Sequence, residues 1–115
     1  MVDFVLVGAL LTLFFVSVVQ LTLALHVRNT LIDAASSGAR YGALADRSPE
    51  DARSRTIDLI TMALNGDYAA DVVAVEETRD GYGTLEVIVR APLPVVGLAG
   101  PASIQEVRGH APRPD

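Results

Sequence analysis

The first turnover in polarity comes at residue 4. From Phe4 to Leu25 the chain carries no charged side chain, and Asp3 stands directly before that run. As a helix its 22 residues measure about 33 Å. A bilayer hydrocarbon core is about 30 Å thick, so the run predicts a membrane-spanning helix over residues 1–27. Thr12, Ser17, Gln20 and Thr22 are its polar members. Ser and Thr hydroxyls can return to the backbone one turn earlier and so cost little in lipid. Gln20 is expected near the interface or against another helix.

Beyond Leu25 the apolar pattern thins to one helical face without a break. Val27, Leu31, Ala35, Gly38, Ala39 and Gly42 recur at three- and four-residue spacing, while Asn29, Asp33, Ser36, Ser37 and Arg40 fill the other side. One helix is therefore predicted from Asp3 to about Ala45, lipid-borne in its first half and amphipathic in its second. Small residues at Ala35, Gly38, Ala39 and Gly42 suit a close backbone approach, either to this chain's own sheet or to a neighbouring subunit.

A second helix follows, bounded by Ser48 as N-cap, Pro49 at its first position and acids at Glu50 and Asp51. Asn65-Gly66 is expected to supply a left-handed stop. Ile57, Ile60 and Leu64 form the expected buried stripe, with Arg55 and Asp58 outside. Alternation then takes over: "DVVAVEETRDGYGTLEVIVRA" reads as a hairpin turning at Asp80-Gly81. That register sets Asp71 opposite Arg90 and Arg79 opposite Tyr82. It gathers Val72, Ala74, Leu85, Val87 and Val89 on one face, and leaves Val73, Val75 and Ile88 among charges on the other. "PLPVVGLAGP" is an apolar connection, expected as a lid on the core or as a contact with a neighbour or the membrane. "ASIQEVRGH" reads as a third strand, and residues 111–115 as a flexible tail. The expected fold class is α+β: a long N-terminal helix, a short second helix and a small antiparallel sheet of about three strands. Residues 28–110 would form the domain outside the membrane.

Composition narrows the function classes. The chain has 115 residues, a net charge of −5 and no cysteine, so disulfides and thiolate metal sites are excluded. Its nine basic residues are all arginine and form no stripe, which argues against nucleic acid as a partner. Catalysis finds little footing. Glu76 and Glu77 are adjacent on a strand and face opposite ways. His26 lies at the membrane edge and His110 near the C-terminus, and Gly81 and Gly83 belong to the hairpin rather than to a phosphate loop. The chain reads as a non-enzyme without cofactor or metal.

Asp3 remains to be explained. Signal peptides begin with bases, have shorter apolar cores and end at a small-residue cleavage site, none of which fits this segment. A carboxylate at the edge of a span costs about 1 kcal/mol, and about 2.5–3.5 kcal/mol or more if buried deeper. It can stay among lipid headgroups. It can also meet the N-terminal amine of an adjacent, axially staggered copy, which would make it a register device for a helical polymer. The arginines that follow the span, Arg28, Arg40 and Arg47, would by charge alone put the C-terminal domain on the cytoplasmic side.

"VDF" before the span, then "LALHVRNTLIDAASSGARYGALA", resembles the TadE-like family of minor pilins and pseudopilins of bacterial Tad (tight adherence, Flp-type) pilus systems. The matching positions are Asp3-Phe4, Arg28-Asn29, Ala34-Ala35 and Gly38-Ala39-Arg40-Tyr41. Asp3 stands where the family normally has glutamate, a shorter arm to the same charge. The resemblance implies a single-pass protein of the cytoplasmic membrane with its C-terminal domain extracytoplasmic, incorporated into or initiating a surface pilus. It implies other pilin subunits, the Tad membrane platform and assembly machinery, a prepilin peptidase and the lipid bilayer as partners, and a role in adhesion. The alternative is a single-pass membrane protein whose outer domain binds a secretion or envelope partner without polymerising.

Overall fold

A computed structural model describes residues 1–44, 46–79, 81–92 and 104–112. Its longest element, α1 (Val2–Gly42), changes character at Val27. Before that residue the helix is exposed almost throughout; from Val27 onward its Val27, Leu31, Ala34, Ala35, Gly38, Ala39 and Gly42 positions are buried. The molecule is 71 Å long, close to the ~62 Å of a 41-residue helix plus a short overhang of the head.

The helix ends three residues before the expected Ala45, which itself lies outside the described residues. Ala43 N–H still reaches Ala39 O at 2.9 Å, and the chain then turns back toward α2 (Pro49–Ala63). The return is fixed by a reciprocal cap. Ser48 N–H donates to Asp51 Oδ2 at 2.9 Å, and Asp51 N–H donates to Ser48 Oγ at 3.4 Å. Two otherwise unpaired donors of the helix end are thereby satisfied.

Two expectations for α2 are corrected. Its most deeply buried positions are Ala52, Thr56 and Ile60, while Ile57 and Leu64 pack only at the margin of the core. Where α2 crosses the glycines of α1, there is room for Ala and Thr and not for a larger side chain. Asn65-Gly66 does not adopt the left-handed stop. Asn65 is extended and its Oδ1 accepts from Asp67 N–H at 2.9 Å, which caps a 3-10 helix over Gly66–Ala69 instead.

Three strands complete the head: β1 (Asp71–Arg79), β2 (Tyr82–Pro92) and β3 (Ile104–Pro112), antiparallel in the order β1-β2-β3. The hairpin register is as expected, with Asp71 opposite Arg90 and Arg79 opposite Tyr82. Gly81 takes φ +83°, the left-handed conformation that a two-residue turn requires. β3 alternates exposed and buried along its whole length and runs two residues into the expected tail, where Ala111 is buried. The apolar connection and the last three residues lie outside the described residues.

One sheet face carries Val72, Leu85, Val87, Val89, Ala91, Val107 and Ala111 against both helices, and with Leu31, Ala35, Ala39, Ala52 and Ile60 they form the core. The outer face holds ion pairs. Arg90, opposite Asp71 in register, turns its Nε instead to Glu106 Oε1 at 3.4 Å across the β2–β3 ladder. Arg108 Nη1 reaches Glu86 Oε1 at 2.7 Å, and its Nη2 reaches Glu106 at 3.4 Å. Glu86 is only 2% exposed although it lies on this outer face. Its hydrogen bond holds the Arg108 guanidinium above its ordinary pKa.

Candidate assembly surface

The residues singled out in the sequence fall into three places. Asp3 and Phe4 sit in the first turn of α1, both exposed. Asp3 makes no ion pair or hydrogen bond through its side chain among the described residues. An acid there complements the positive end of the helix dipole, and its free carboxylate is available to a cation from outside the chain.

From Val2 to Val19 every residue is exposed; Gln20 and Ala24 are half-buried. Thr12 Oγ1 donates to Gly8 O at 2.9 Å and Ser17 Oγ to Leu13 O at 2.8 Å, so these hydroxyls are silenced within the helix as expected. Shallow apolar grooves run along the rod, one beside Val5, Leu6 and Ala9 and one beside Val18, Val19, Thr22 and Leu23. Phe4, Phe14 and Phe15 are 83%, 69% and 68% exposed. A surface of that kind needs lipid or other helices around it. One helix is thus long and apolar enough to cross a membrane.

The small residues have a different setting. A Cβ at Gly38 would fall on the Thr56 hydroxyl and 2.9 Å from Ala52 O; one at Gly42 would lie 2.8 Å from Leu85 Cδ2 and against Ala52. On the sheet side, a Cβ at Gly109 would run into the α1 backbone at Ala35 and Ser36. Thr56 spends its buried hydroxyl on Ala52 O at 2.8 Å, which lets it lie flat beneath Gly38. Ala35, Gly38, Ala39 and Gly42 are therefore consumed inside this chain, packing α1 on α2 and on the sheet. The small face thus packs within the chain, but on α2 as well as on the expected sheet: Gly38 faces Thr56 and Ala52, and Gly42 faces both Ala52 and Leu85.

The remaining motif positions divide. Arg28, Asn29 and Arg40 are exposed on the uncovered side of α1. Tyr41 is half-buried between two guanidiniums, Arg47 at 4.9 Å and Arg55 at 5.6 Å from its ring centroid. Stacking of this kind contributes about 0.5–1 kcal/mol per contact at an exposed site. It ties the end of α1 to the α1–α2 turn and to α2. Pairing Tyr41 with Arg47 and Arg55 was beyond sequence reasoning, since three different segments converge there.

Glu76 and Glu77 face opposite sides of β1, opposite Leu85 and Thr84 respectively. No cluster of three or more His, Asp or Glu side chains able to hold a metal occurs among the described residues.

Residues 1–40 match the family model described as TadE-like protein. No curated protein and no solved structure matches the chain. The matched segment is the rod together with most of the small face. The long apolar helix and this match fit a membrane-anchored, pilin-like protein associated with Tad systems.

Proposed function

We propose that this chain is a minor pilin or pseudopilin of a bacterial Tad-type pilus, held in the cytoplasmic membrane by α1 with its head on the extracytoplasmic side. The observation that carries this reading is the divided helix. One face of its second half is buried by the head, whereas its first half presents an almost wholly apolar surface, broken by three hydroxyls and Gln20, and one unpaired carboxylate. Bilayer lipid satisfies the apolar surface of the rod but offers the acid no fixed partner. A bundle of staggered copies satisfies both, with each Asp3 set against a positive charge of a neighbour. Once such a pair is buried, removing one member strands the other at a cost of about 3–5 kcal/mol. The charge thereby fixes axial register as subunits leave lipid. Other pilin subunits, the Tad platform and assembly machinery, and a prepilin peptidase are the partners this role requires.

Asp3→Ala tests it. The variant should reach the membrane at wild-type level and be lost from sheared surface filaments, with Asp3→Glu restoring incorporation. Normal incorporation of Asp3→Ala would overturn the register role. Membrane insertion without any filament-bound protein, in wild type as in the variant, would favour an outer domain that binds an envelope partner without polymerising.

A further inference from the structure

The buried core begins almost where the span ends. Leu25 is the last exposed apolar residue of the rod and Val27 is already 2% exposed, so about 3 Å of helix separates lipid from head. A headgroup layer is roughly 5–8 Å deep on each side of a bilayer. With the span seated in the hydrocarbon, there is no stalk to lift the head clear of that layer.

The directions of the packed elements show which residues reach it. Gly109 of β3 abuts Ala35 and Ser36, while Leu85, the partner of Ala111, abuts Gly42; β3 therefore runs in the same sense as α1. Ile104 lies five residues before Gly109, about 16 Å along the strand. Leu25 lies eleven residues before Ser36, also about 16 Å along the helix. Ile104 thus stands close to the level of the span's end. α2 runs the other way, with Ala52 against Gly42 and its last turn beside Thr30, where Leu59 and Ala63 line one groove with Thr30 and Ala34. Met62 is therefore also at the span-side end of the head.

These are the two most exposed large apolar side chains of the described head. Met62 is 81% and Ile104 67% exposed, against 50% for Leu44 and 45% for Val73. Arg28, one turn beyond Leu25, is exposed and has no side-chain partner among the described residues.

We infer that the span-side end of the head is a phospholipid-facing surface, continuous with the rod: Ile104 and Met62 enter the headgroup layer of the leaflet that the span leaves, and Arg28 lies against lipid phosphate. The head rests on the bilayer in a fixed attitude and must peel away from it when the subunit is extracted. This inference rests on the membrane-anchored reading and adds a second contact to it.

The chain has no cysteine, so single labels can be placed cleanly. Ile104→Cys, Met62→Cys and Leu44→Cys, the last beyond the far end of α1, would each carry an environment-sensitive fluorophore. Each full-length protein would be reconstituted in vesicles of phosphatidylcholine and phosphatidylglycerol. Headgroup-attached nitroxide lipids should quench the labels at 104 and 62 severalfold more strongly than the label at 44, and aqueous iodide should show the reverse order. Equal nitroxide quenching at the three positions, in protein that floats with the vesicles, would overturn the inference and leave the anchor intact. Shielding from iodide without nitroxide quenching would assign the surface to a second protein copy and overturn it equally. Protein that fails to float at all would remove the anchored reading itself.

Discussion

Two stretches of the same helix teach opposite lessons about apolar residues. In the rod, Leu, Val and Phe cover every side and none is buried by the chain. In the head, α1 contributes chiefly Ala and Gly, and nearly all of them are fully buried. Bulk apolar side chains mark the half whose environment is supplied from outside. Small ones mark the half that finds its own partners, because only there must two backbones come close. The glycines make the contrast sharp. Gly8 has open space around its missing Cβ, whereas Gly38, Gly42 and Gly109 each face an atom that a Cβ would strike.

Substituting those glycines is the most direct way to break the comparison. Gly109→Ala drives a methyl into the α1 backbone, which cannot swing aside as a side chain would. We expect a loss of about 3 kcal/mol in head stability, and each kcal/mol lowers the melting point of a small domain by about 4–8 °C. Thermal melts of the sheet signal in detergent would show it, and an unshifted midpoint would mean that the sheet does not press on α1 as described. A smaller effect is expected at the turn. Ser48→Ala removes one half of the reciprocal cap on α2 and should cost about 1 kcal/mol, read from the same melts. The smallest effect belongs to the rod. Gly8→Ala gains about 1 kcal/mol of local helix propensity and meets no neighbour in the chain, so the head's melting midpoint should stay within experimental error. If the same variant nevertheless failed to enter filaments, Gly8 would mark a helix–helix contact made only between copies.

Much of the head was legible because its local signals agree with its packing. Ser48 caps α2 since its partner Asp51 lies within four residues of chain, and the expected hairpin register is accompanied by φ > 0 at Gly81. Alternation correctly separated Val72, Val87 and Val89 from Val73, Val75 and Ile88. The failures occur where two segments meet. Thr56 outranks Ile57 in burial because Gly38 leaves room for a hydroxyl that closes on its own helix. Asn65 caps forward onto Asp67 rather than ending α2, because the chain must reach β1 through a further short turn. Arg90 prefers Glu106 to Asp71, and Glu86 is buried on a nominally polar face; each depends on β3, whose register no local pattern announces.

By itself the sequence determined the rod: its length, its lack of charge and the acid before it follow from residue order, since a helix closes its backbone hydrogen bonds within one segment. It also determined the elements of the head, because periodicity, caps and turns act over a few residues. Only the tertiary structure decided that the small face of α1 is taken up by the chain's own α2 and sheet, that Tyr41 lies between Arg47 and Arg55, and that Ile104 and Met62 emerge at the span-side end. Those outcomes depend on which surfaces come together in three dimensions, and a glycine in the sequence is the same whether its missing side chain faces solvent or another backbone.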